Sequence, residues 1–138
     1  MTIGLYILLG VVAGAVVLAY TRRQKPEHEF RLLALGLAIA AVIYVGLGFV
    51  WGNASWVGIE AAGVLFYTAF IWLAYRKNII WLAVGWFLHT GWDVALHLFG
   101  PGEHIVPAWY AFACIGYDVL MAGYIYVRRE HWQKRSFE

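Results

Sequence analysis

Five apolar runs of eighteen to twenty-one residues take up most of this 138-residue chain, at positions 3–20, 32–51, 56–75, 79–99 and 107–127. Each is long enough to cross the roughly 30 Å of bilayer hydrocarbon as a helix, a medium in which a backbone must satisfy its own hydrogen bonds. Charge is correspondingly scarce: 13% of residues are charged, against about 25% in a typical soluble domain. The sequence therefore predicts an all-α integral membrane protein, a single domain built as a bundle of five transmembrane helices.

The placement of the charges orients the bundle. All ten Lys and Arg fall at 22–31, at 76–77 and at 128–135, whereas the N-terminus and the connections at 52–55 and 100–106 have none. With five spans those three places share one side, so the positive-inside rule gives N-out, C-in. The basic residues follow the first span rather than precede it, which is the polarity of a signal anchor and not of a cleaved leader. Trp51, Trp56 and Trp109 are expected at the outer interface, and Trp72, Trp81 and Trp132 at the inner one.

Between the spans, 21–31 reads as a polar loop broken by Pro26, with His28 a solvated histidine. Gly10 and Gly14 form a small-xxx-small pair that lets another helix approach closely. Residues 128–138, rich in both signs of charge, read as a stop-transfer and lipid-surface tail. A lone cysteine, Cys114, excludes an internal disulfide and a thiolate zinc cluster, and reads as a packing residue. The formal net charge of +2 gives no basis for a nucleic-acid partner.

Against this background one stretch stands out: His89-Thr-Gly-Trp-Asp93-Val-Ala-Leu-His97 in the fourth run. Ionisable groups at membrane depth cost roughly 2.5 kcal/mol or more each, so they mark sites with partners. Tyr110, Cys114 and Asp118 repeat the four-residue spacing in the fifth run, and Glu60 lies one turn inside the third. At about 1.5 Å of rise per residue, His97, Asp93 and His89 come about 3, 9 and 15 Å below the outer surface. Tyr110, Cys114 and Asp118 come at about 4–5, 10 and 16 Å, and Glu60 at about 6 Å. If the two faces meet, the rungs are His97 with Tyr110, Asp93 with Cys114 and His89 with Asp118, all in the outer half.

Imidazoles with carboxylates suit a borderline divalent ion such as Zn, Fe or Mn. His89 and His97 are about 12 Å apart along an ideal axis, so one ion takes an i, i+4 pair plus Asp118 or Glu60. Without metal, a His–Asp pair in a low dielectric can act as acid and base, with His89, Asp93 and Asp118 as the reacting groups. The structural alternative is that these side chains only hydrogen-bond one another and fix helix pairing. Glu103 and His104 in the outer loop read as solvated.

The run from His89 to Gly100, with Pro107 and then Cys114-Ile-Gly-Tyr-Asp118, resembles a small bacterial integral-membrane family of unknown function. Its pattern is His-x-Gly-Trp-Asp-x-x-x-His-Leu-x-Gly, followed by proline and Cys-x-x-x-Asp, and the likeness covers roughly the last 50 residues. The resemblance implies a cell-membrane location, in bacteria the inner membrane, and singles out His89, Asp93, His97 and Asp118. It implies no reaction.

Together these readings lead to the expectation of a multi-pass membrane protein with an intramembrane His/Asp site in the outer half. The metal-ligand candidates are His89, Asp93, His97, Asp118 and Glu60, for one divalent ion. The expected partners are the lipid bilayer, a lipid-like or apolar small molecule, and further copies or a larger membrane complex. The alternative expectation is a non-enzymatic accessory subunit whose polar ladder only fixes packing.

Overall fold

The computed structural model describes residues 2–133, and within them every element is helical. Helix α1 is Ile3–Thr21, α2 Pro26–Trp51, α3 Ala54–Arg76, α4 Ile80–Trp92 and α5 Ala108–Gln133. Four of the helices described, α1, α2, α3 and α5, are long and apolar enough to cross a membrane. Their outward faces are apolar as well: Leu9, Val12 and Val16 on α1 and Leu65 on α3 are each more than half exposed. Bilayer hydrocarbon would solvate such surfaces, whereas water would not.

Three sequence expectations change. The fourth run does not form one α-helix. Its α-helical part stops after thirteen residues and continues as a six-residue π-helix, Asp93–Leu98, closed by Phe99 N–H on the Val94 carbonyl at 3.1 Å. Such turns occur mostly at functional sites, and this one is pinned by the contacts of His97 described below.

The polar loop at 21–31 is also shorter than expected. Pro26 begins α2 instead of breaking it, because a first-turn proline has no N–H that the helix would need. Its buried stripe, Glu29, Leu33, Leu37, Ala41, Tyr44 and Gly48, follows the helical period from end to end. Helix α5, finally, runs past Val127 to Gln133, and the remainder of the expected tail lies outside the described residues.

In space α1 packs on α5, α5 on α4, α4 on α3 and α3 on α2, with α2 leaning back over α4. Trp86 on α4 donates its indole N–H to the Leu33 carbonyl on α2 at 3.3 Å. The short links are fixed by asparagines: Asn53 accepts from the N–H groups of Ser55 and Trp56 at 3.0 and 3.2 Å, and Asn78 from Ile80 N–H at 2.9 Å. Trp51, Trp72, Trp81 and Trp109 face outward, but Trp56 and Trp132 turn into the protein.

The α1–α5 seam depends on missing side chains. A Cβ at Gly10 would lie 1.8 Å from the Ala113 carbonyl oxygen, and one at Gly116 would lie 2.2 Å from that of Ile7. Backbone cannot yield as a side chain does. Gly10→Val is therefore expected to destabilise the protein by about 1–3 kcal/mol or detach α1, read as a lower melting temperature in detergent. Gly4→Val, where a Cβ would meet nothing within 4 Å, should leave the melting temperature unchanged.

Candidate functional site

The polar side chains of α3, α4, the π turn and α5 converge at the end of the bundle that carries the 52–53 and 99–107 connections. His89, Asp93, Asp118, Glu60 and His97 are all buried, none more than 2% exposed. His89 Nδ1 lies 2.8 Å from Asp118 Oδ2 and hydrogen-bonds it, joining α4 to α5. A carboxylate only accepts, so this nitrogen holds the ring proton in the neutral imidazole and Nε2 is left with its lone pair. Asp93 Oδ2 is 3.8 Å from the same nitrogen, too far for a hydrogen bond.

One ligand atom from each of His89, Asp93 and Asp118 falls within 4.8 Å of the others. His89 Nε2 has no hydrogen-bond partner among the described residues, and the sealed Asp93 carboxylate faces the Tyr44 hydroxyl. Cys114 lies among Tyr44, Tyr110, Asp93 and Asp118. A carboxylate buried in this way must find a proton or a cation, because its desolvation costs several kcal/mol. The site thus has the donor set and the unmet charge of a small cation site.

His97 goes elsewhere. Its Nδ1 lies 3.2 Å from the Gly102 carbonyl oxygen and its Nε2 lies 3.1 Å from Glu60 Oε1. The rung expected between His97 and Tyr110 does not form, because the π turn and the 99–107 segment take the imidazole toward α3. Glu60 is held from its other oxygen by the Trp92 indole N–H at 3.1 Å. Tyr44 on α2 stands between the two histidines, its ring centre 5.5 Å from that of His89 and 4.8 Å from that of His97.

Residues 99–107 fold over this end of the bundle rather than leaving it open. Ile105 and Val106 are buried, and Gly102 sits so close that a Cβ there would be 2.9 Å from His97 Nδ1 and 2.8 Å from the Trp56 ring. Glu103 and His104 are exposed, as is His28. What space remains is a crevice of about 150 Å³ bordered by Tyr44, Glu60, Tyr67, His89 and Trp92, too constricted to hold a water. Pockets for drug-sized ligands are about 300–1,000 Å³.

At the opposite end a carboxylate is fully partnered. Glu29 accepts from the Tyr124 hydroxyl and faces Arg128 Nη2 at 3.5 Å, while the guanidinium also lies over the Tyr124 ring at 5.4 Å. Neither Glu29 nor Tyr44 stood out as a site residue in the sequence. The signal was there: the buried stripe of α2, extended from Tyr44 in steps of three and four, reaches Glu29.

Fold and site together define an all-helical protein with membrane-length helices around a buried histidine–carboxylate cluster. The chain belongs to DUF6010, a family of unknown function whose profile matches residues 5–131. That likeness spans nearly the whole chain, well beyond the last 50 residues. No curated protein and no solved structure matches it.

The unmet charge makes a stability prediction. In chelator-treated detergent solution, Asp93→Asn is expected to stabilise the metal-free protein by about 1–3 kcal/mol, since it removes a buried charge that stands beside a second carboxylate, Asp118. Denaturant unfolding of the two proteins checks this, and a marked loss of stability would mean that Asp93 is already neutralised.

Proposed function

We propose that this is a multi-pass membrane protein of five spans, N-out and C-in, whose His89–Asp93–Asp118 cluster binds a divalent cation (Zn, Fe or Mn) in the outer half of the cell membrane. In a bacterial host that membrane is the inner one. The observation that supports it best is the convergence of three fully buried ligand atoms, two of them from carboxylates, within 4.8 Å. Two carboxylates and a neutral imidazole bring two negative charges, which a divalent ion balances. To ligate through Nδ1 the His89 ring would carry its proton on Nε2 instead, the tautomer opposite to the one that donates to Asp118. Such an ion would serve as a Lewis acid, with His89 and the aspartates also positioned for acid/base work.

The orientation has support from the inner clamp. Glu29 at the start of α2 meets Arg128 near the end of α5, which puts these basic flanks at one level, as same-side placement requires. A lipid-like molecule would have to part the side chains around the crevice to reach the cluster, so the cation is the firmer part of the reading.

A second reading has its own support: the His89–Asp118 bond joins α4 to α5 and the Glu60–His97 contact joins α3 to the π turn. In that reading the protein is an accessory subunit of a membrane complex, and the polar groups set helix pairing.

Elemental analysis of the detergent-purified protein separates the two. Under the cation reading, wild type contains close to one equivalent or more of Zn, Fe or Mn, and Asp93→Asn and Asp118→Asn lose at least one equivalent while staying folded. No metal in wild type, even after supplementation, would leave the packing role. For the topology, reporter fusions are expected to place the two ends of the chain on opposite sides of the membrane.

A further inference from the structure

We infer that Glu60 and His97 form a second cation position beside the first, for the same class of divalent ion that prefers nitrogen and oxygen ligands. The inference goes beyond the single-ion site and does not depend on it, because its ligands are different residues. It starts from the hydrogen bonds these two side chains make. The Gly102 carbonyl can only accept, so His97 Nδ1, 3.2 Å away, is a protonated nitrogen, and a neutral ring then has its lone pair at Nε2. The Trp92 indole can only donate, and it occupies Glu60 Oε2 at 3.1 Å. What is left is His97 Nε2 facing Glu60 Oε1 at 3.1 Å, both buried and neither hydrogen-bonded among the described residues. Two lone pairs at that distance repel unless something positive stands between them.

A proton and a cation would leave different geometries. A shared proton draws the oxygen onto the axis of the ring nitrogen, with an angle at hydrogen above about 150°. A cation held by both at about 2.1 Å brings nitrogen and oxygen to about 3.0 Å at a right-angled, octahedral corner and about 3.4 Å at a tetrahedral one, with the oxygen well off that axis. The pair observed is 3.1 Å apart and neither atom is hydrogen-bonded among the described residues, which fits the second geometry near a right-angled corner. The support behind each ligand also fits. Metal-bound imidazoles usually give their other N–H to a carbonyl or carboxylate, and ligating carboxylates are themselves hydrogen-bonded.

An independent observation points to the same place. His89, whose buried Nε2 has no hydrogen-bond partner among the described residues, borders the same crevice as Glu60, together with Tyr44 and Tyr67. That nitrogen is on the opposite edge of the ring from the one directed at Asp118. The histidine thus lies between the two positions.

Titration of chelator-stripped protein with Co²⁺, followed by its visible absorption, tests this. Wild type is expected to take up two equivalents. Glu60→Gln and His97→Gln should each lose one and keep the other, and Asp93→Asn should keep the equivalent that Glu60→Gln loses. Saturation of wild type at one equivalent that survives in Glu60→Gln overturns the second position and leaves the His89–Asp93–Asp118 reading standing. One equivalent that survives in Asp93→Asn but not in Glu60→Gln does the reverse. No uptake overturns both, and a single equivalent lost in every variant overturns the second position in favour of one mixed site. A readout on wild type alone guards against variants that do not fold. The His97 Nδ1 proton, held on a buried carbonyl, should give a hyperfine-shifted proton resonance on addition of the second equivalent, and its absence overturns the assignment.

Discussion

The hydrogen bond from His89 to Asp118 crosses the seam between α4 and α5, and much of the interior depends on it. In a medium of low dielectric such a bond is stronger than in water, and the penalty for leaving either group alone is larger. It sets the tautomer of His89, brings a second carboxylate beside Asp93 and holds α5 against α4. Helix α1 in turn rests on α5 through the glycine seam, so the most peripheral helix is tied to the polar core at second hand.

The two ends of the bundle treat buried carboxylates differently. At one end Glu29 has a hydroxyl donor and a guanidinium, so its charge is met within the protein. At the other end Asp93, Asp118 and Glu60 face histidines, an indole, tyrosines and the Cys114 thiol, none of which is a permanent cation. Arginine holds its proton under all ordinary conditions, whereas imidazole does not. A stable architecture was therefore available to this chain and is used at one end only.

Much of this could be read from the sequence. The apolar runs located the helices, with ends that differ by up to six residues where the charged stretches at 26–31 and 128–133 continue α2 and α5. The four-residue spacing and matched depth of His89 and Asp118 predicted their meeting, since both lie on regular helix. The prediction failed where the helix itself changes. Nothing local in Asp93–Leu98 signals a π turn, and with it went the partner of His97, which is Glu60 and not Tyr110. Glu29 was hidden by its charged neighbours, which make a helix start look like a loop. The folding of 99–107 over the end of the bundle is tertiary packing, and apolar Ile105 and Val106 inside a glycine-rich segment were its only trace.

The 99–107 segment joins two properties that are usually separable. Its Gly102 carbonyl sets the orientation of His97, and its buried Ile105 and Val106 cover the end of the bundle. Lifting it would also release the imidazole from its tautomer and alter what Glu60 faces. Access to that end and the geometry of the His97–Glu60 pair are mechanically linked, so anything entering there would meet a pair arranged differently from the one at rest.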